Sequence, residues 1–161
     1  MRSSKLVLLA AGVLALTSRV ASAQSDTSTV TYTISAVTLV EIAGDVSLTI
    51  NDVNSVGGGL KNDTDSTTYA ITNNAGSKKI VGKINTAMPS NTTLTVTAAA
   101  PASGASAGAV SLNASNQDLV NGIGAVDQTG VNLSFVLSAT INAALVNSAT
   151  KTLTLTVVDE S

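Results

Sequence analysis

The chain has 161 residues, no cysteine, histidine or tryptophan, and a formal net charge of −2. Without histidine or cysteine, the sequence excludes Ser-His-Asp and Cys-His catalysis and disfavours zinc and other transition-metal sites. Because no disulfide can form, stability must come from side-chain packing and backbone pairing.

The first 23 residues have the features of a secretory signal peptide. Arg2 and Lys5 precede an apolar run over residues 6–16, and a small-residue cleavage site ends at Ala23. This run is shorter than a membrane-spanning helix, which needs about 20 residues, and no later stretch is long and apolar enough to span a bilayer. We therefore expect a protein secreted to the cell surface or the extracellular space, with one domain over residues 24–161.

The charge of residues 24–161 argues against a nucleic-acid partner. Five lysines face ten carboxylates in this part of the chain, which gives a formal charge of −5. A surface of this sign repels phosphate backbones.

Alternation of apolar and polar residues, which is typical of half-buried strands, recurs along residues 24–161. The 14-residue stretch Thr29–Ile42 contains no glycine or proline and is interpreted as one long strand that bends near Ala36 and Val37. Only residues 116–123 are interpreted as holding a helical turn. The other alternating apolar sets are Val46, Leu48 and Ile50; Tyr69 and Ile71; Ile80 and Ile84; Leu94, Val96 and Ala98; Val110 and Leu112; Val131, Leu133, Phe135, Leu137 and Ala139; and Leu153, Leu155 and Val157.

Turn-forming residues separate these sets at regular intervals. Regularly spaced short strands predict an all-β protein, and we expect an antiparallel immunoglobulin-like β-sandwich of about eight or nine strands.

The loop over residues 51–66 contains the only candidate metal ligands. Asp52, Asp63 and Asp65 are weak calcium candidates, because calcium binds oxygen atoms and an Asp-x-Asp spacing lets two carboxylates face one ion. The glycine and the closing glutamate of an EF-hand are misplaced, and Asp and Asn form turns without any metal. We therefore expect a solvated turn-forming loop, with calcium as the less favoured alternative and no other cofactor.

Paired carboxylates can hydrolyse glycosides, and Glu41, Asp45, Asp52 and Asp127 are the residues to consider. Sugar sites usually add aromatic platforms, whereas this chain has no tryptophan. We therefore predict no catalytic residues and no enzymatic activity.

Three lysines, Lys78, Lys79 and Lys83, cluster after a turn-forming segment. They are interpreted either as a patch for an acidic cell-wall polymer or, preferentially, as charges that protect an edge strand against unwanted pairing.

Threonines alternate on three of the predicted strands. An array of hydroxyls could order water as an ice-binding surface, but threonine is also a good strand former where a face is wet, and we favour the second interpretation. The three sets are Thr29, Thr31 and Thr33; Thr93, Thr95 and Thr97; and Thr152, Thr154 and Thr156.

The segment STTYAITNNAGSKKIVGKINTAMPSNTTLTVTAAAP, over residues 66–101, resembles parts of small exported bacterial all-β proteins of uncharacterised function. More distantly it is similar to WxL-type cell-surface domains and to fimbria-like subunits. It departs from the WxL pattern because the chain has no tryptophan. The resemblance implies a role at the cell surface or in the extracellular matrix.

Together these observations predict a non-catalytic structural or adhesive surface protein that binds itself or other surface proteins by β-strand addition. The pairing edge is expected to be Thr29–Ile42 or the terminal strand over residues 151–158. The alternative is a binding module for cell-wall polysaccharide or another surface ligand.

Overall fold

A computed structural model describes residues 24–160, so the signal peptide predicted for residues 1–23 lies outside the described residues. The described chain divides into two units, residues 24–33 and residues 34–160. The first unit contains no strand. No helix long and apolar enough to cross a membrane occurs between residues 24 and 160.

The second unit is built from β-strands alone among its regular elements. Its strands are β1 (Thr38–Ile42), β2 (Asp63–Asn73), β3 (Lys78–Ile84), β4 (Thr92–Ala98), β5 (Ala105–Ser106), β6 (Ala109–Ser111), β7 (Gln117–Ile123), β8 (Val126–Ala139) and β9 (Leu153–Asp159).

The strands form two antiparallel sheets that pack together. The first sheet has the order β1-β2-β8-β4-β6, and the second has the order β5-β7-β3-β9. The predicted all-β sandwich of eight or nine strands is therefore confirmed. Its assignment to the immunoglobulin-like class stays a prediction.

The core lies between the sheets, and the two longest strands, β2 and β8, pair at its centre. Tyr69 and Leu133 belong to these strands and are almost completely buried. The Tyr69 hydroxyl donates to the carbonyl oxygen of Ala99 at 2.6 Å, and burial raises the pKa of Tyr69 to about 12. Tyr69 therefore stays protonated and keeps this hydrogen bond at neutral pH.

Strands β3 and β7 of the second sheet pack against β2 and β8 at the centre of the core. Ile80, Ile84 and Leu119 are fully or almost fully buried. A Cβ atom added at Gly82 would lie 2.6 Å from Leu119 Cδ1, which is closer than real Cβ contacts. A side chain at this position would therefore displace the fully buried Leu119 of the neighbouring strand.

The prediction of one long strand over Thr29–Ile42 is wrong for residues 29–37. Strand β1 begins only at Thr38, and residues 24–37 belong to no strand. Alternation at Val30, Tyr32 and Ile34 predicted a buried strand face, but these side chains are exposed. The backbone of a strand also needs hydrogen-bond partners on a neighbouring strand. Alternation within one segment does not show whether such a neighbour is present.

The helical turn predicted over residues 116–123 is also wrong, because residues 117–123 form strand β7. Leu119 and Val120 are adjacent in sequence and both fully buried. The register of β7 against β3 shifts near Ile80, and a bulge of this kind breaks the simple alternation on which the strand prediction depends. The alternation at Val46, Leu48 and Ile50 likewise produces no regular strand.

Shortening Leu133 should test the packing at the centre of the core. We expect Leu133→Ala to lower the free energy of unfolding by about 2–5 kcal/mol, because the fully buried side chain leaves a cavity between the sheets. Denaturant unfolding measures this loss. Ser134→Ala is the control on the opposite face of β8 and should change stability by less than about 0.5 kcal/mol; equal effects of the two substitutions would contradict this packing.

Candidate functional site

At one side of the sandwich, β1 ends the first sheet and β9 ends the second, and these two strands lie near each other without pairing. A cavity of about 510 Å³ lies at this side, near the end of β1 and the beginning of β9. Its wall combines polar residues, among them Asp45 and Lys151, with apolar ones, which include Ile42, Val46, Leu48, Met88, Phe135 and Leu153. The core of the domain therefore reaches solvent along this side, which we call the open side.

Strand β9 borders the open side and pairs only with β3 among the described strands. Antiparallel ladders alternate, so every second residue of an edge strand points its N–H and C=O groups away from its partner. Asn85 donates from its N–H to the Thr152 carbonyl, and Glu160 donates to the Ser77 carbonyl, which places the even-numbered residues of β9 toward β3. The backbone groups of Leu153, Leu155 and Val157 therefore point outward.

The side chains of these three residues complete the open side. Leu153, Leu155 and Val157 are half-buried and pack against the core, whereas Thr154 and Thr156 are exposed on the other face of the strand. The edge thus combines outward backbone groups with apolar side chains that are only partly covered.

Asp63 and Asp65, two of the calcium candidates, hold a neighbouring segment of backbone. Asp65 accepts hydrogen bonds from the N–H groups of Ser47 at 2.7 Å and Ser66 at 2.8 Å. Asp63 does the same for Thr49 at 2.6 Å and Thr64 at 2.9 Å. The two carboxylates replace main-chain partners for residues 46–50, which explains why the alternation there produces no regular strand.

The hydrogen bonds from Ser47 and Ser66 lower the pKa of Asp65 from its ordinary value of 3.8. Asp52, the third candidate, accepts a hydrogen bond from the N–H of Val53 at 2.8 Å. Within residues 24–160, no group of three or more Asp or Glu side chains has an arrangement that could hold a metal ion. Calcium binding stays a prediction, and at Asp63 and Asp65 an ion would compete with the backbone N–H donors.

Two asparagines fix the chain where it enters β1, and the sequence interpretation missed both. The Asn74 side chain accepts a hydrogen bond from the N–H of Val37 at 2.6 Å and donates to the carbonyl of Ser35 at 3.2 Å. The N–H of Asn74 also donates to the Val37 carbonyl at 3.1 Å. These three bonds, two from the side chain and one from the main chain of Asn74, extend the β1 ladder, and we call them the Asn74 clamp.

Asn73, the other asparagine, is buried and joins three parts of the domain. Its Nδ2 donates to the carbonyls of Gly76 at 2.8 Å and Gly124 at 2.9 Å, while its Oδ1 accepts from the Thr38 hydroxyl at 3.1 Å. An Asn-Asn pair just after a strand is the sequence signal that could have identified both residues, since Asn side chains commonly bond nearby backbone at turns.

The lysine cluster is largely engaged within the domain. Lys78 forms an ion pair with Asp159, and Lys79 pairs with Asp118 at 3.2 Å. Lys83 is exposed. Pairing of two of the three lysines reduces the positive charge that an acidic polymer would meet, and polysaccharide binding stays a prediction.

The three threonine sets are not joined on one sheet. Thr93, Thr95 and Thr97 lie on β4 of the first sheet, whereas Thr154 and Thr156 lie on β9 of the second. Thr29, Thr31 and Thr33 belong to no strand. The structure therefore supplies no single array made from all three sets.

Comparison with models of known protein families finds no match to this chain, and no curated protein matches it either. Function is therefore inferred from the geometry of the chain itself.

Acid should reveal the role of Asp65. Because its pKa is lower in the folded protein, ionised Asp65 stabilises the fold above pH 3.8, and this contribution is lost as the pH falls through the lower folded value. We expect Asp65→Asn to be less stable than wild type at about pH 6 and to lose less stability on acidification to about pH 3.

Denaturant unfolding at the two pH values measures both effects. Glu41→Gln is the matched control, because it removes a carboxylate of β1 that accepts no hydrogen bond from another described residue. An unchanged acid dependence in Asp65→Asn would contradict the role assigned to Asp65.

Proposed function

We propose that the protein is a non-catalytic structural subunit of the cell surface or extracellular matrix, and that it assembles with copies of itself by β-strand addition at the edge of β9. The observation that carries this proposal is the open side. An edge strand with outward backbone groups there borders a partly apolar cavity whose wall includes the core residues Ile84, Leu94 and Phe135.

The four sheet edges differ in how they are protected. Edge strands attract unwanted partners, and proteins commonly protect them by making them short or charged. Strands β5 and β6 have two and three residues. Strand β1 has five residues and carries Glu41. Strand β9 has seven residues and no proline, and its one charged residue is Asp159 at its end, which pairs with Lys78; the uncharged length of this edge favours β9 for a partner strand.

Strand addition also satisfies the physical needs of this edge. A partner strand would supply hydrogen bonds to the outward groups of Leu153, Leu155 and Val157, and its inward side chains would cover the apolar surface beside them. A chain without disulfides gains both packing and backbone pairing in this way.

The proposal that the protein works outside the cell rests on the sequence of residues 1–23, with its positive start, short apolar run and small-residue cleavage site. A non-catalytic role is supported by the absence of histidine and cysteine from the whole sequence, since these residues supply the most frequent general bases and strong nucleophiles.

The experiment that tests this function measures assembly of the purified polypeptide of residues 24–161. We expect particle mass in light scattering to rise with protein concentration, and negative-stain images to show end-to-end chains. A polypeptide that stays monomeric at high concentration, with and without calcium, would overturn the proposal.

A proline at the edge should weaken assembly selectively. Val157→Pro removes an N–H group that points away from β3, so the β3–β9 ladder keeps its hydrogen bonds while the partner strand loses a donor. We expect assembly to need about tenfold more protein, as one lost hydrogen bond of about 1.4 kcal/mol would produce. Val157→Ala is the matched control because it keeps the N–H, and equal assembly by the two variants would contradict pairing at this edge.

A further inference from the structure

Residues 29–37 have the pattern of a strand but belong to none. Val30, Tyr32 and Ile34 alternate with threonines, and their side chains are 80%, 81% and 80% exposed. No charged residue occurs between Thr27 and Val40. An extended apolar segment of this kind lacks both the backbone partners and the cover that its pattern requires.

The edge of β9 has backbone groups and side chains that could pair with residues 29–37. Its outward backbone groups belong to three alternate residues, Leu153, Leu155 and Val157, whose side chains face the core. In an antiparallel pair, directly opposite residues place their side chains on the same face of the sheet. Three alternate apolar residues of an incoming strand would therefore all face the core.

We propose that residues 29–37 of one copy bind along β9 of a second copy, with Val30, Tyr32 and Ile34 facing the open side of its core. This inference rests on the proposed self-assembly and specifies its contact. The sequence indicates Thr29–Ile42 and residues 151–158 as pairing edges. In this contact, residues of the first region form the added strand, and the second region accepts it.

The chemistry of the two surfaces agrees. The donor segment is uncharged, and so are residues 152–158 of the acceptor. The cavity of about 510 Å³ beside Leu153 has room for large side chains, and the apolar part of its wall suits Tyr32 and Ile34. Asp45 and Lys151 also line this cavity, but pairing of the two strands themselves desolvates no charge, which lowers the cost of association.

The Asn74 clamp favours a second copy over the donor's own domain. Entry of the segment beside its own β9 would require the chain to reverse at residues 35–37, where the clamp binds Ser35 and Val37. A second copy accepts the segment without breaking these bonds.

The position of the clamp also favours an antiparallel orientation. Asn74 lies in the turn between β2 and β3, and Lys78 at the start of β3 pairs with Asp159 at the end of β9. An antiparallel donor places its own domain beyond the opposite end of β9, near Leu153, so the acceptor's clamp end stays accessible. The contact then repeats head to tail and produces open chains.

Disulfide trapping can test the donor, the acceptor and the orientation together. In the antiparallel register centred on Tyr32 and Leu155, Thr33 lies opposite Thr154 on the solvent face, and neighbours of this kind have the Cα separation that a disulfide needs. The native chain has no cysteine, so each introduced cysteine is the only one present. Thr33→Cys and Thr154→Cys are purified separately, mixed and oxidised.

We expect a covalent heterodimer in this mixture, at least about tenfold more abundant than in a mixture of Thr33→Cys with Thr93→Cys. Thr93 is an equally exposed threonine on β4 of the other sheet, which makes it the matched control. Equal cross-linking in both mixtures would overturn the proposal. A preference of Thr31→Cys for Thr154→Cys together with a preference of Thr33→Cys for Thr156→Cys would overturn the antiparallel orientation, because only a parallel register makes both pairs.

A second set of variants separates this contact from self-assembly in general. Replacing Val30, Tyr32 and Ile34 with alanine removes exposed side chains, so the fold and its unfolding midpoint should be unchanged, whereas light scattering should show assembly reduced at least about tenfold. The control replaces Thr29, Thr31 and Thr33 with alanine and should assemble like wild type.

The outcomes distinguish the two proposals. Undiminished assembly by the Val30, Tyr32 and Ile34 variant would overturn the role of residues 29–37 while self-assembly through another surface stands. Absence of assembly by the wild-type polypeptide would overturn both.

Discussion

The structure depends on burying alternate aliphatic side chains between two sheets, in a chain that has no disulfide to support them. Strands β2 and β8, which each have a neighbour on both sides, bury Tyr69, Ile71, Val131, Leu133 and Phe135 in this way. At the open side the burial of apolar side chains is incomplete, because β9 has a partner strand on one side only and apolar side chains beside it line a cavity. The need to complete this burial is the physical reason for expecting a partner strand.

Several polar residues hold the neighbourhood of the open side in place without closing it. Asp63 and Asp65 bind the backbone of residues 46–50, whose apolar side chains line the cavity wall. Asn74 binds the backbone just before β1, and Asn73 connects β1 to two turns. Carboxylates that the sequence suggests as metal ligands thus act as acceptors for backbone N–H groups. One structural role explains both the acidic residues and the lack of a regular strand beside them.

Much of the fold could be predicted from the sequence, because a half-buried strand repeats every two residues and strands such as β4, β8 and β9 do so clearly. Strand β7 could not, since a bulge places the adjacent Leu119 and Val120 in the core. Alternation at Val30, Tyr32 and Ile34 predicted a strand that the structure does not contain, because strand formation also depends on which backbone lies beside a segment. The open side was equally hidden, since strand order joins residues that are far apart in sequence.

Residue-resolved hydrogen exchange of β9 tests the central claim most directly. In the monomeric polypeptide, the amides of Leu153, Leu155 and Val157 point outward and should exchange rapidly, while those of Thr154 and Thr156 are bonded to β3 and should exchange slowly. After assembly, all five amides should exchange slowly. Rapid exchange at Leu153, Leu155 and Val157 in the assembled state, or protection of these three amides already in the monomer, would contradict the claim that β9 is an edge completed by a second copy.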